Sequence, residues 1–190
     1  MGNIDLFEVK KAVNSTYKLL DTVESIMGKP DGMDISLRDC FRTEMIMTAL
    51  YFSATDGRVV QDEVDMINEV FDYHLSIRDC INLIQDRNIY STDFENSEKI
   101  TLLLLKEFDK KYGHLAGTKG VPIVLELMEN FAKALLVIDG DVDENEKEEF
   151  FEFFAKQKRK YMEDDTLGGI RKSTSSSDNS LKDYYLKKKR

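Results

Sequence analysis

The sequence predicts an all-α protein, a compact bundle of about seven helices with two pseudo-twofold helix–turn–helix halves. Apolar residues recur at helical spacing along most of the chain, and strand alternation is nearly absent. Only two prolines occur in 190 residues, and good helix formers such as Leu, Glu, Lys and Met are common. One helix–turn–helix pattern stands twice in the chain, which predicts the two related halves.

The first half of the chain predicts four helices. An apolar stripe runs from Leu6 to Met27, and the segment GKPDG ends that helix. Ser36 and Ser76 stand where a side-chain oxygen would cap the start of the second and fourth helices. The predicted helices of this half cover about residues 4–27, 37–54, 61–74 and 77–86.

The second half predicts three longer helices after a loop, RNIYSTDFENS. The fifth helix carries four consecutive leucines and ends at Gly113, because glycine favours helix ends. Pro122 suits the first turn of the sixth helix. The predicted helices of this half cover about residues 96–112, 121–138 and 144–161.

Composition divides the chain into one helical domain, 1–162, and a tail, 163–190. The tail is rich in Ser and Gly and is predicted to be disordered, with a basic tip. The tail holds seven basic and five acidic residues, a net charge of +2. Because the whole chain has a net charge of −9, the helical domain has a net charge of −11. An acidic domain repels phosphate backbones, which argues against nucleic-acid binding and favours cations or basic protein partners.

Several classes of protein and site are disfavoured by what the sequence lacks. The two cysteines, Cys40 and Cys80, are isolated, which argues against zinc and predicts buried free thiols in a reducing compartment. The polar N-terminal segment does not resemble a signal peptide, and no apolar run is long enough to span a bilayer. These observations predict a cytoplasmic protein whose membrane contact, if any, is peripheral.

The repeated pattern is D-G-x-V-x-x-x-E, at residues 56–63 and again at 139–146. Both copies follow an apolar stretch and precede a predicted helix. Apolar residues at the same offset of 83 positions also match around the two copies. The matched pairs are Ala49 with Ala132, Phe52 with Leu135, Ile67 with Phe150, and Val70 with Phe153.

A structural interpretation explains much of this pattern. Gly57 and Gly140 permit the left-handed backbone that ends an incoming helix. In the second copy Asp143 and Glu146 fit a capping box, in which cap and third helical residue exchange hydrogen bonds. In the first copy the cap position is Val60, so capping explains the first glutamate less well.

A second interpretation comes from calcium chemistry. The pattern matches the second half of an EF-hand loop, but the first half is missing in both copies, where apolar residues occupy the ligand positions. Shared coordination of calcium or magnesium, with weak affinity, stays open if the two turns are neighbours. The candidate metal ligands are Asp56, Glu63, Asp139, Asp141, Asp143 and Glu146.

The doubled motif within an acidic helical domain resembles the TerB-like domain, which is known from a bacterial tellurite-resistance protein and from DjlA-type co-chaperones. The resemblance covers about residues 36–160. It implies an all-α fold with pseudo-twofold halves and an acidic patch, proposed to bind divalent metal, at Asp56, Glu63, Asp139 and Glu146. It also implies membership of a stress-response or membrane-associated complex. Val60 departs from the small polar residue often found at that position, which weakens a symmetric metal site.

Three functions compete on these observations. The leading prediction is a non-enzymatic interaction module with a weak divalent-cation site at the acidic turns. The alternative is a metal-independent adaptor, in which the turns are structural and the surface or the tail docks a partner protein or membrane. A hydrolytic enzyme is disfavoured, because His74 and His114 lack a nucleophile or metal-binding motif. The tail residues assigned to docking are Tyr184, Tyr185, Lys187, Lys188, Lys189 and Arg190.

Overall fold

The computed structural model describes residues 6–30, 34–53, 58–89, 92–117, 119–138 and 144–162. These residues form helices and connecting turns without a strand, which confirms the predicted all-α bundle. None of the described helices is long and apolar enough to cross a bilayer. The helices are α1 (Leu6–Met27), α2 (Leu37–Ser53), α3 (Gln61–Phe71), α4 (Ile77–Arg87), α5 (Thr92–Asn96), α6 (Ile100–Ala116), α7 (Gly120–Leu136) and α8 (Glu144–Met162).

The two predicted serine caps are present. The Oγ atom of Ser36 accepts a hydrogen bond from the Asp39 N–H at 3.1 Å. The Oγ atom of Ser76 accepts one from the Asp79 N–H at 3.2 Å, and the Asp79 carboxylate accepts the Ser76 N–H at 2.9 Å. Each serine therefore satisfies a backbone donor that the helix itself leaves unpaired.

One helix and three boundaries were predicted wrongly, and one of those boundaries is the start of α6, which lies at Ile100 and not near residue 96. The segment predicted as a loop contains the short helix α5, which is too brief for helical periodicity to reveal. Helix α6 runs through Gly113 and ends at Ala116, since Gly117 is the glycine with a left-handed backbone, φ +69°. Helix α3 ends at Phe71, three residues early, because Asp72 takes the left-handed conformation and donates its N–H to the Asn68 carbonyl.

Helices α2 and α7 form the centre of the bundle and pack against each other. Helix α2 also contacts α1, α3, α4 and α6, so every residue from Glu44 to Ser53 is buried. The helices that flank the two predicted turns are therefore present, and the predicted symmetry between the halves stays a prediction. All eight apolar residues matched between the two copies are buried: Ala49, Phe52, Ile67, Val70, Ala132, Leu135, Phe150 and Phe153.

An aromatic cluster joins α2 to α8. The ring centroid of Phe52 lies 5.3 Å from that of Phe150, 5.3 Å from that of Phe153 and 5.8 Å from that of Phe154. The neighbouring Tyr51 stacks on Phe153, and its hydroxyl donates a 2.5 Å hydrogen bond to the Glu149 carboxylate. These contacts fix the direction of α8 against the central helix.

Three helices begin at a carboxylate that another helix supplies. The Glu24 carboxylate of α1 accepts the Leu37 N–H at the start of α2, at 2.5 Å. The Glu44 carboxylate of α2 accepts the Thr101 N–H at the start of α6, at 3.3 Å. The Asp109 carboxylate of α6 accepts two N–H groups at the start of α7. A negative charge at a helix N-terminus is favourable, because the free N–H groups and the helix dipole point toward it.

Removal of the Asp109 carboxylate gives a direct test of these caps. Its two oxygens accept the Gly120 and Val121 N–H groups at 2.7 and 2.9 Å. We expect Asp109→Ala to lower the free energy of unfolding by about 2 kcal/mol, since both donors then lose a charged acceptor. Urea denaturation measures the change, with Glu107→Ala as the exposed control on the same helix. Equal effects of the two substitutions would contradict the capping role.

Candidate functional site

Most of the predicted site residues lie outside the described residues. This applies to Asp56, Gly57, Asp139, Gly140, Asp141 and Asp143, and to the six tail residues Tyr184, Tyr185, Lys187, Lys188, Lys189 and Arg190. The structure describes two of the predicted ligands, Glu63 and Glu146. Each is the third residue of the helix that follows its turn, as the pattern predicts.

The carboxylate of Glu63 takes part in the start of α3. The side chain is buried, with 6% of its surface exposed, and it accepts the Val60 N–H at 2.8 Å. Val60 has no side-chain acceptor to return the interaction, so one half of a capping box is made. Val59 packs against the same core as the buried Val64, in the positions of a hydrophobic staple. Glu63 therefore has a structural task that the sequence pattern explained poorly.

Glu146 occupies the matching place in the first turn of α8 and is half-buried. A metal site needs several oxygen, nitrogen or sulfur ligands that converge on one point. Within the described ranges, no group of three or more His, Cys, Asp or Glu side chains is arranged to hold a metal ion. Glu63 and Glu146 thus do not complete a site without the turn residues.

Substitution of Glu63 separates capping from metal binding. Glutamine keeps an oxygen that accepts the Val60 N–H, but it removes the charge that a bidentate calcium ligand needs. With metal removed by a chelator, we expect Glu63→Gln to lower the free energy of unfolding by less than about 1 kcal/mol. If the first turn is metal-independent, calcium leaves both melting temperatures unchanged. Stabilisation of the wild type alone by millimolar calcium would instead assign Glu63 to a metal site.

An open groove lies between α2 and α4, with a volume of about 320 Å³. This volume is at the lower end of the range of about 300–1,000 Å³ for ligand pockets in proteins. Apolar and aromatic side chains from α2, from the turn between α3 and α4 and from α4 form more than half of the lining, and the charged groups lie on α4. The lining residues are Thr43, Ile46, Met47, Tyr73, Leu75, Asp79, Asn82, Leu83 and Asp86.

The charged groups that line this groove are carboxylates. Asp79 and Asp86 are both exposed and lie two turns apart on α4, about 10 Å along the helix axis. Hydrogen bonds from the Ser76 hydroxyl and N–H lower the pKa of Asp79, so this carboxylate is ionised at neutral pH. The groove therefore presents fixed negative charge beside an apolar floor.

One wall of the groove is held by an arginine. The guanidinium carbon of Arg42 lies 4.6 Å from the ring centroid of Tyr73, a cation–π contact. The same guanidinium donates a 3.0 Å hydrogen bond to the Phe71 carbonyl at the end of α3. The wall is thus positioned by α2 and by the end of α3 before any ligand arrives.

A buried polar cluster lies on another side of α2. Glu44 and Lys99 are 2% and 1% exposed. The Lys99 ammonium donates hydrogen bonds to the Phe94 carbonyl at 3.1 Å and to the Ser97 hydroxyl at 2.8 Å. It also lies 4.2 Å from the Phe94 ring centroid, and the Lys99 N–H is held by the Tyr161 hydroxyl at 2.7 Å. The cluster joins α2, the start of α6 and the end of α8.

Burial dominates the titration of Glu44. It raises the pKa of this carboxyl from 4.5 to about 7, against the opposing effects of hydrogen bonds from α6 and the charge of Lys99. The native state therefore holds this proton between about pH 4.5 and 7, whereas the unfolded chain releases it. The contribution to stability is complete at low pH and is lost as the pH rises toward 7.

This linkage predicts a pH dependence that Glu44→Gln removes. The shift from 4.5 to about 7 corresponds to a loss on the order of 3 kcal/mol between about pH 4.5 and 8. We expect wild-type stability to fall, relative to that of Glu44→Gln, as the pH rises through this range and to level off above it. Urea denaturation at a series of pH values measures both curves. Parallel curves would contradict the raised pKa.

The cysteines and the described histidine offer no catalytic arrangement. Cys40 and Cys80 are buried thiols outside any disulfide, as predicted. Burial, with the charges of Asp79 and Glu63, raises the pKa of the Cys80 thiol to about 11, so it stays protonated at neutral pH. His74 is exposed in the turn between α3 and α4. The side chain of His114 is not among those described.

Neither the groove nor the buried polar cluster is predicted from the sequence. Two signals for the cluster were present. Glu44 directly precedes the apolar stretch MIMTALYF, and Gln157 and Tyr161 continue the spacing of the buried phenylalanines of α8. Polar residues in such register are candidates for buried networks. The groove had no comparable signal, because it depends on how α4 is placed against α2.

The fold and these features define an all-α protein that has on its surface an apolar groove edged by carboxylates. Comparison with known proteins adds no family to this class. No protein-family model matches the chain, and neither a curated protein nor a solved structure matches it. The resemblance to the TerB-like domain therefore stays a prediction that rests on the repeated motif.

Proposed function

We propose that the protein is a non-enzymatic interaction module that binds a protein partner through the α2–α4 groove. The observation that carries the proposal is the groove itself, whose apolar floor stands beside two carboxylates, Asp79 and Asp86. Such a surface suits a segment that places apolar side chains in the groove and Lys or Arg side chains at its edge. The acidic charge of the whole domain favours the same partners over nucleic acid.

Selection from a displayed peptide library tests this function. Full-length protein is the target, and the bound peptides are sequenced. We expect enrichment of peptides with neighbouring apolar residues flanked by Lys or Arg. The variant Asn82→Arg, which adds a cation to the groove edge, should lose this enrichment. The variant Gln85→Arg adds the same charge to an exposed α4 position outside the lining and should keep it.

Two results would count against the groove as the binding surface of an interaction module. The first is a set of enriched peptides that Asn82→Arg and Gln85→Arg retain equally, which would place binding elsewhere. The second is the absence of enrichment with every variant. Turnover of a substrate that is lost on Asp139→Asn, with the fold intact, would instead favour the enzyme hypothesis.

The divalent-cation site at the Asp-Gly turns is the second part of the proposal. One Glu63 oxygen already accepts the Val60 N–H, which favours the metal-independent alternative at the first turn. Calorimetric titration of metal-stripped protein with calcium and then magnesium tests the site, beside the double variant Asp56→Asn/Asp139→Asn. Binding heat that the double variant loses would establish the cation site. TerB-like membership, a stress-response role and a cytoplasmic location are further parts of the proposal that rest on the sequence motif.

A further inference from the structure

We propose that residues 181–190 of this same chain dock into the α2–α4 groove and compete there with the protein partner. The inference rests on the proposed function, since it takes the groove to be a binding surface. Its support comes from three features: the chemistry of the segment, the position at which α8 ends, and the length of chain between them.

The segment has the chemistry that the groove favours. Residues 181–190 read LKDYYLKKKR, with four apolar or aromatic side chains followed by four cations. Tyrosines and leucines suit the apolar part of the lining, which includes Ile46, Met47 and Leu83. The terminal cations suit the two carboxylates on α4, which lie about 10 Å apart. Within the 28 residues that follow Met162, this is the stretch that combines aromatic and basic side chains.

The end of α8 lies close to the helix that forms the groove. The Tyr161 hydroxyl accepts the Lys99 N–H at 2.7 Å, and the Glu44 carboxylate accepts the Thr101 N–H two residues along. Tyr161 is therefore beside the turn of α2 that contains Glu44. The adjacent residue of that turn, Thr43, lines the groove. Helix α8 thus ends beside α2, and the chain that follows Met162 reaches the groove by passing round that one helix.

The chain between α8 and residues 181–190 is long enough to reach the groove, and it is short enough to keep the segment near the groove. The 18 residues 163–180 span no more than about 60 Å when extended. A short flexible tether gives an effective concentration in the millimolar range. Even a segment of modest intrinsic affinity would therefore occupy the groove, and a partner would have to displace it. The tail would act as an internal competitor that sets the threshold for partner binding.

Methyl NMR on the full chain tests this docking. Protein labelled with ¹³C at the methionine methyl groups reports on Met47 in the groove wall, and Met128, buried on α7, serves as the reference. Met47→Leu assigns the signal. We expect Tyr184→Ser/Tyr185→Ser to move the Met47 signal and to leave that of Met128 in place. The same tail substitution should have no effect on Met47 in the Asn82→Arg background, and its full effect in the Gln85→Arg background.

Three outcomes would overturn the proposal. A Met47 signal that the tail substitution leaves unchanged would remove the tail from the groove. An effect that persists in Asn82→Arg would place the tail elsewhere. An effect that disappears on dilution would assign the groove to the tail of a second copy. Failure of the proposed function has a different result. In that case the peptide library yields no groove-dependent peptide, even when the target is the Tyr184→Ser/Tyr185→Ser variant.

Discussion

Lys99→Met is expected to lower the free energy of unfolding by about 3–5 kcal/mol at about pH 8, the range found when one partner of a buried charge pair is removed. Methionine has a similar length, so the packing volume is nearly kept. The hydrogen bonds to the Phe94 carbonyl and the Ser97 hydroxyl are lost, and the Glu44 carboxylate is left without a neighbouring cation. The cost should decrease at about pH 5, where Glu44 is protonated in the native state.

Urea denaturation at the two pH values measures this effect. Lys106→Met is the matched control, because Lys106 is a half-buried lysine of α6 that donates to the Lys160 carbonyl at 3.2 Å. We expect it to cost less than about 1 kcal/mol, with little change between the two pH values. Equal losses for Lys99→Met and Lys106→Met would mean that the buried Lys99 ammonium stabilises the native state no more than a half-buried lysine does.

Phe52→Ala should have an effect of similar size, about 3–5 kcal/mol, because it removes a buried ring from a close-packed core. Phe52 is 2% exposed and contacts three phenylalanines of α8. The cavity would lie between α2 and α8, so near-ultraviolet circular dichroism should change together with stability. Thermal or urea denaturation measures the loss.

The control for this substitution is Phe151→Ala. Phe151 belongs to the same helix but is 65% exposed, and its ring contacts Phe150 at 5.7 Å between centroids. Loss of an exposed ring should cost less than about 1 kcal/mol. A loss from Phe151→Ala as large as that from Phe52→Ala would show that burial of the aromatic cluster is not what joins the two helices.

Local chemistry made the fold predictable. Helical spacing of apolar residues indicated every helix except α5, and serine caps gave two starts to within a residue. Errors arose where two local signals competed. Gly113 is predicted to end a helix, although it is Gly117, four residues later, that has a positive φ and ends α6. A glycine inside a helix and one that ends a helix look alike until the backbone angle is known.

The candidate sites were much less predictable. The motif did indicate that Glu63 and Glu146 would each be the third residue of a helix, but an apolar side chain at the cap position concealed the local hydrogen bond that the Val60 N–H donates to the Glu63 carboxylate. Lys99 is a charged residue beside a predicted loop, and its burial depends on α2 and α8 closing over it. The groove likewise depends on the distance between two helices. Such features are tertiary, and periodicity carries no information about them.

Carboxylates that cap the helices of their neighbours have a consequence for how the domain comes apart. Each of α2, α6 and α7 begins at a group that another helix supplies. Loss of α1 leaves α2 without its acceptor, loss of α2 does the same to α6, and loss of α6 does the same to α7. Isolated fragments should accordingly be less helical than their sequences suggest, and a chain divided between α6 and α7 should not reassemble readily. In native-state hydrogen exchange, the amides of these three helices should open together as one cooperative unit.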